Sequence, residues 1–210
     1  MKESKEDKFV IVIGRQYGSG GRRIGRMLAQ SLGISYYDQA LLAEASERLG
    51  YSPDIFAQRD EKRPSFFRSM LSLNYGAPVM NVGQQTMSDE AIYALQSKVI
   101  REICENESCV IVGRSADYVL RHHPHLLSIF VHANDEDRAN AIVKRGEATD
   151  RESALELAAK RDSQRQDFYN YFTNRESWGK AGNYHLCFNS SMISDATILT
   201  IVKDMLKLPE

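Results

Sequence analysis

Five short apolar runs punctuate the chain: Phe9 to Ile13, Ile34 to Tyr37, Cys109 to Val112, Ser128 to His132 and His185 to Phe188. They are nearly continuous in apolar residues instead of alternating with polar ones, the pattern of strands buried on both faces of a parallel sheet. Between them apolar side chains recur at helical spacing. Ile24, Met27, Leu28 and Leu32 share one face, and Ile92, Leu95, Val99 and Ile103 share another. Asn134 followed by Asp135, Glu136 and Asp137 predicts a helix start, with an N-cap and acids in the first turn. Lys144, Arg145 and Gly146 mark that helix's end, and Ser194 with Asp195 opens a last helix carrying Ile198, Ile201, Val202 and Leu206. Strands alternating with helices predict an α/β fold with a doubly wound sheet.

Two stretches break the alternation. Residues 51–85 hold three of the five prolines and no clear strand. Residues 146–183 hold a polar helix and then the run Trp178-Gly179-Lys180-Ala181-Gly182-Asn183. Both read as excursions from the sheet, long enough to serve as an insertion and a lid.

The length of 210 residues suits one domain spanning 1–210. With 27 basic and 28 acidic residues the net charge is −1, which argues against a protein whose main partner is nucleic acid or an anionic membrane. No apolar run approaches the roughly 20 residues of a spanning helix. The charged start, Met1 to Lys8, does not read as a secretory signal. Cys104, Cys109 and Cys187 show no CxxC spacing and leave one over, as reduced thiols in the cytoplasm would.

The chemistry concentrates after the first strand. Gly14-Arg15-Gln16-Tyr17-Gly18-Ser19-Gly20-Gly21-Arg22-Arg23 lies between a strand and a helix. Glycines there let backbone N–H groups close on an anion, and the new helix aims its positive end at the same point. From Gly14 to Tyr37 there are four arginines (Arg15, Arg22, Arg23, Arg26) and no acid, so a phosphate is the natural counterion. The alternative is a tight turn whose arginines point to solvent. The run is not a regular GxxxxGK[ST] loop: Arg15 stands at the first glycine, Gly21 at the lysine and Arg22 at the magnesium-binding hydroxyl.

A second signal follows the third strand, where Gly113-Arg114-Ser115-Ala116-Asp117 puts a guanidinium fork at a strand's carboxyl end, the usual ligand crevice of α/β sheets. A later helix carries Lys160, Arg161, Asp162 and Arg165. Lys160 has Glu156 four residues before it, and Arg165 has Asp162 three before it. Arg161 has no acid at either spacing, which reads as a solvated arginine able to swing to a ligand.

Together these segments resemble the nucleoside monophosphate kinases, and most closely the cytidylate kinase-like family. The resemblance rests on Arg15 to Gly25, Tyr36-Tyr37-Asp38, Cys109 to Tyr118, the Lys160-Arg161-Asp162 start, Tyr169 to Thr173, Trp178-Gly179 and Asn183 to Cys187. It implies a P-loop kinase fold: a five-stranded parallel sheet flanked by helices, with a monophosphate-binding insertion and an arginine-bearing lid. It also implies phosphoryl transfer from ATP, with Mg2+, to a small acceptor, a nucleotide such as CMP. Carried over by position, Gly18, Ser19, Gly20 and Gly21, with Arg22 and Arg23, would hold the donor phosphates. Arg114 would grip the acceptor phosphate with Asp38, Asp117 and Arg165 nearby, while Arg145 and Arg161 would come from the lid. Arg15, Arg22 or Arg23 would supply the charge of the absent lysine. Magnesium would rest on the nucleotide and water, with Asp38 or Asp117 as outer ligands and no metal site of the protein's own. Two departures stand out: the lysine and hydroxyl are missing from the loop, and Arg165 and Phe168 interrupt the RDxxDxxR pattern begun at Arg161. They keep open a non-catalytic nucleotide sensor, or sulfuryl transfer from a nucleotide donor, on the same fold.

His122, His123 and His125 flank Pro124 in a turn, with no Cys or carboxylate pair to complete a metal site. Tyr169, Tyr171, Phe172 and Trp178 would either stack a base or pack the lid against the body.

Overall fold

The computed structural model describes residues 8–51 and 89–207. Five strands, β1 (Val10–Arg15), β2 (Ser35–Tyr37), β3 (Cys109–Val112), β4 (Leu126–His132) and β5 (Leu186–Asn189), form one sheet in the order β2-β3-β1-β4-β5. Every pairing is parallel. The insertion read at residues 51–85 lies, apart from Tyr51, outside the described residues.

The continuous apolar runs have the cause their pattern implied. In β1 successive side chains face opposite ways: Val10 and Val12 enter one core cluster, Ile11 and Ile13 the other. On one face α2 (Gln39–Arg48) and α3 (Asp89–Asn106) pack through Leu42, Val99, Ile100 and Ile103. On the other, α1 (Gly21–Leu32) brings Ile24 and Leu28, and the last helix (Asp195–Leu206) brings Ile198 and Val202. Burying each such Leu, Ile or Val stabilises the fold by roughly 1.5–3 kcal/mol.

Between the outer strands run α4 (Ala116–Val119), α5 (Asp135–Lys144), α6 (Arg151–Thr173) and a single 3-10 turn (Ala181–Asn183); the last helix is α7. Asn134 is the N-cap of α5, but its side chain makes no capping bond. Asp150 does cap α6, accepting from the Ser153 N–H while Ser153 Oγ accepts from the Asp150 N–H. Chains leaving β1 and β3 cross the sheet in opposite directions, which opens a crevice beyond their carboxyl ends. Among the described residues no helix is long and apolar enough to cross a membrane, and the three cysteines are free thiols.

Candidate active site

The β1–α1 turn is held by hydrogen bonds to its own backbone and to neighbouring elements. Ser19 Oγ lies 2.9 Å from the Gln16 carbonyl and 3.0 Å from that of Val131, and Ser190 Oγ donates to the Ser19 carbonyl. The Ser19 hydroxyl thus faces inward and braces the turn. Tyr17 N–H donates to Asp162 Oδ1 at 2.7 Å, and Arg138 Nε donates to the Tyr17 carbonyl at 2.8 Å. Arg138 also pairs with Asp162, so α5 and α6 grip the loop together. Gly18 has φ +82° and rests on α5: a Cβ there would lie 2.8 Å from the Arg138 carbonyl oxygen. With the turn so braced, the N–H groups of Gly18, Gly20, Gly21 and Arg22 find no protein acceptor among the described residues. They are donors at a helix N-terminus, arranged for an anion.

A cavity opens beside them, lined by Gly14, Arg15, Arg22, Gln39, Val112 to Ser115, Asp117, Arg165, Phe168, Tyr169, Trp178 and Tyr184. Four guanidinium groups thus meet in one place from three directions: Arg15 and Arg22 from the loop's two ends, Arg114 from β3, and Arg165 from α6. Arg114 is only 8% exposed and sits in a turn where Gly113, Arg114 and Ser115 all have positive φ (84°, 64° and 50°). Such a run is conformationally costly for side-chain-bearing residues and is characteristic of sites where position matters. Burial, then the neighbouring guanidiniums, push Arg15 well down from its ordinary pKa; burial and Arg22 push Arg114 to about 9, and burial brings Arg165 to about 10. Guanidinium groups keep their protons, so the shifts mark a crowding of positive charge that an anion would relieve.

The far side of the cavity is aromatic and carries one acid. Tyr169 donates to Asp117 Oδ2 at 2.7 Å, and burial raises the Asp117 carboxyl above its ordinary value. Trp178 packs edge-on against Phe130 at 5.4 Å, and Phe172 stacks on Tyr93 at 4.2 Å. Of the four aromatics read as base platform or packing, Phe172 packs and Tyr171 bonds Glu90, while Tyr169 and Trp178 line the cavity.

Other expected residues lie elsewhere. Asp38 caps α2, accepting from the N–H groups of Ala40 (3.1 Å) and Leu41 (3.4 Å), and faces Arg26. Arg23 lies against Gly20 but pairs with Asp195 of α7. Arg145 pairs with Glu147 at 2.8 Å outside the cavity. Arg161 is not solvated: it is 8% exposed, its guanidinium 5.8 Å from the Tyr17 ring centroid. Arg145 and Arg165 also stand over that ring, at 5.5 and 5.1 Å, and Tyr17 Oη donates to Glu147. Tyr17 therefore joins the loop to α6, a role the sequence analysis does not assign it. Its only sequence signal is an aromatic within an arginine-rich glycine turn. Helix α6 contacts the loop, Arg165 Nη1 donating to the Arg15 carbonyl at 3.2 Å.

A family model described as the cytidylate kinase-like family matches residues 10–192. The chain belongs to that family. Among solved structures, an uncharacterized protein from Eubacterium ventriosum is similar at 23% identity and TM-score 0.70, over 95% of this chain and 99% of that one. A shikimate kinase from Bacteroides thetaiotaomicron is similar at 12% identity and TM-score 0.53, over 95% and 99%. A gluconokinase from Sinorhizobium meliloti is similar at 14% and 0.51, over 96% and 97%. At these identities the likeness is one of fold, and it is the P-loop kinase fold. No curated protein sequence matches the chain significantly.

Proposed function

We propose that this protein transfers a phosphoryl group from ATP to a small acceptor, with a nucleoside monophosphate such as CMP the first candidate. The observation that carries the reading is the meeting of Arg15, Arg22, Arg114 and Arg165 in one cavity beside unpaired loop amides. Phosphoryl transfer asks a protein chiefly for positioning and for positive charge around the transferring group. In this reading the N–H groups of Gly18, Gly20, Gly21 and Arg22 hold the donor phosphates. Arg114 and Asp117 face the acceptor, and Arg165 lies between the two. Arg161 and Arg145 stand behind Tyr17 and set the lid's position.

The residues fit a triphosphate: among the described residues the amides of Gly18, Gly20, Gly21 and Arg22 have no acceptor, and neither has the buried Arg15 Nε. They offer no seat of their own for magnesium. Arg22 stands at the hydroxyl position, Asp38 is committed to capping α2, and no group of three metal-ligating side chains occurs among the described residues. Magnesium, which shields phosphate charge in such reactions, would arrive on the nucleotide with its water, and no protein residue is assigned to it.

The test is a coupled assay of ATP consumption across a panel of nucleoside monophosphates and small alcohols. Consumption that depends on one acceptor supports the kinase reading. Tight ATP binding with no turnover on any acceptor supports the sensor, which Gly21 and Arg22 at the lysine and hydroxyl positions favour.

A further inference from the structure

The loop's missing cation has changed sides. In a regular phosphate loop the first position is glycine and the lysine follows the last glycine, at the start of the helix. Here Arg15 holds the first position and Gly21 the lysine's. The two positions compete for one volume. A Cβ at Gly21 would lie 2.6 Å from Arg15 Cβ and 3.0 Å from its Cγ, so the Arg15 stem fills the space by which a lysine would leave residue 21. The guanidinium then crosses Gly113, where a Cβ would lie 2.2 Å from Nη1 and 2.9 Å from Cζ. Two glycines, on α1 and on the turn after β3, therefore clear the path of one side chain. That path ends in the cavity, with Nε buried and no acceptor beside it among the described residues. A purely structural arginine is paired with a carboxylate or a carbonyl; this one lines a cavity with three other arginines.

We infer that Arg15 is the phosphate-binding cation of this loop, delivered from the strand side in exchange for a lysine at residue 21, with Gly21 and Gly113 as its clearance. Its ligand is the terminal phosphate of a polyphosphate chain, gripped by a planar fork instead of an ammonium point charge. The inference rests on the phosphoryl-transfer reading of the site.

The experiment is calorimetric titration with ATP and with inorganic tripolyphosphate, alongside thermal melts without ligand. The wild-type protein binds both probes, and Arg15→Met weakens both at least tenfold. The same variant melts no lower than wild type, because it removes one of four mutually repelling cations while keeping most of the stem's volume. Gly21→Lys alone weakens binding, by crowding Arg15, and Arg15→Gly combined with Gly21→Lys recovers affinity to within about threefold of wild type. Arg15→Met that binds as wild type, or that melts lower in step with its loss of affinity, overturns the inference. So does a folded double variant no better than Arg15→Gly. A wild-type protein that binds neither probe overturns the phosphoryl-transfer reading beneath it.

Discussion

Asp117 is a carboxylate whose burial costs the fold stability. It is the acid of a cavity otherwise dominated by guanidiniums, and burial lifts its carboxyl above the ordinary value near 4, with the Tyr169 hydroxyl acting in the opposite direction. A folded pKa above the unfolded one means that the contribution is fully present below about pH 4 and is lost as pH rises through the folded value. Asparagine is neutral throughout and keeps an oxygen for Tyr169 to donate to. Asp117→Asn should therefore melt above wild type at neutral pH, and the gap should close as pH falls towards about 4, while activity at neutral pH falls. Identical melting at neutral pH would show that the carboxylate's burial is fully compensated. The sequence revealed such residues unevenly. Arg114's place on the cavity was legible because a Gly-Arg pair after a strand puts a guanidinium at the crevice. Arg165, with Asp162 three residues before it, reads as a surface ion pair and was pointed to the site only by the resemblance. A missing helical acid predicts a solvated Arg161, but its cation is buried facing an aromatic ring from another element, a contact that spacing along one helix does not show.

The elements themselves were written in the apolar runs, since a strand covered on both faces must be apolar at nearly every position. The ends were not. Hydrophobicity stops at Ile13, yet the β1 ladder runs on to Arg15, whose partner in β4 is Val131. That extension anchors the guanidinium at the crevice, and the ladder that fixes it is backbone bonding, which side-chain patterns do not record. Helix α6 was legible as a helix but not in its orientation, because its buried face mixes Ala154, Ala158, Arg161 and Phe168. That mixed face packs α6 on the body and sets Arg161 against the Tyr17 ring. Arg161→Ala should lower the catalytic rate about a hundredfold, a barrier increase of roughly 2.7 kcal/mol. It should also lower the melting temperature, because a cation–π contact worth roughly 0.5–2 kcal/mol is lost with it. Tyr17→Ala, which removes the ring that Arg145, Arg161 and Arg165 share, should reproduce the rate loss with ATP affinity less affected. A wild-type rate in Arg161→Ala would leave α6 a structural helix only.

For the whole molecule, the balance of 27 basic and 28 acidic residues conceals a sharply uneven distribution. Four cations share one cavity at the carboxyl end of the sheet, and their repulsion is part of the folded state's free energy but not of the unfolded state's. An anion that enters the cavity relieves that repulsion in the folded protein alone, so it must raise stability by mass action. At a hundredfold excess over its dissociation constant the gain is about 2.7 kcal/mol. For a chain of this size, where each kcal/mol moves the midpoint by roughly 2–4 °C, that corresponds to about 5–10 °C. Chloride at matched ionic strength screens the charges without filling the cavity, and molar sulfate would stabilise almost any fold by exclusion from its surface. Tripolyphosphate at sub-millimolar concentration separates these effects, being too dilute for either. The protein should melt several degrees higher in it than in chloride of equal ionic strength, and Arg15→Met should lose most of the difference. Superimposable melting curves in the two salts would mean that the four guanidiniums are already compensated within the fold, and that the cavity is not an anion site.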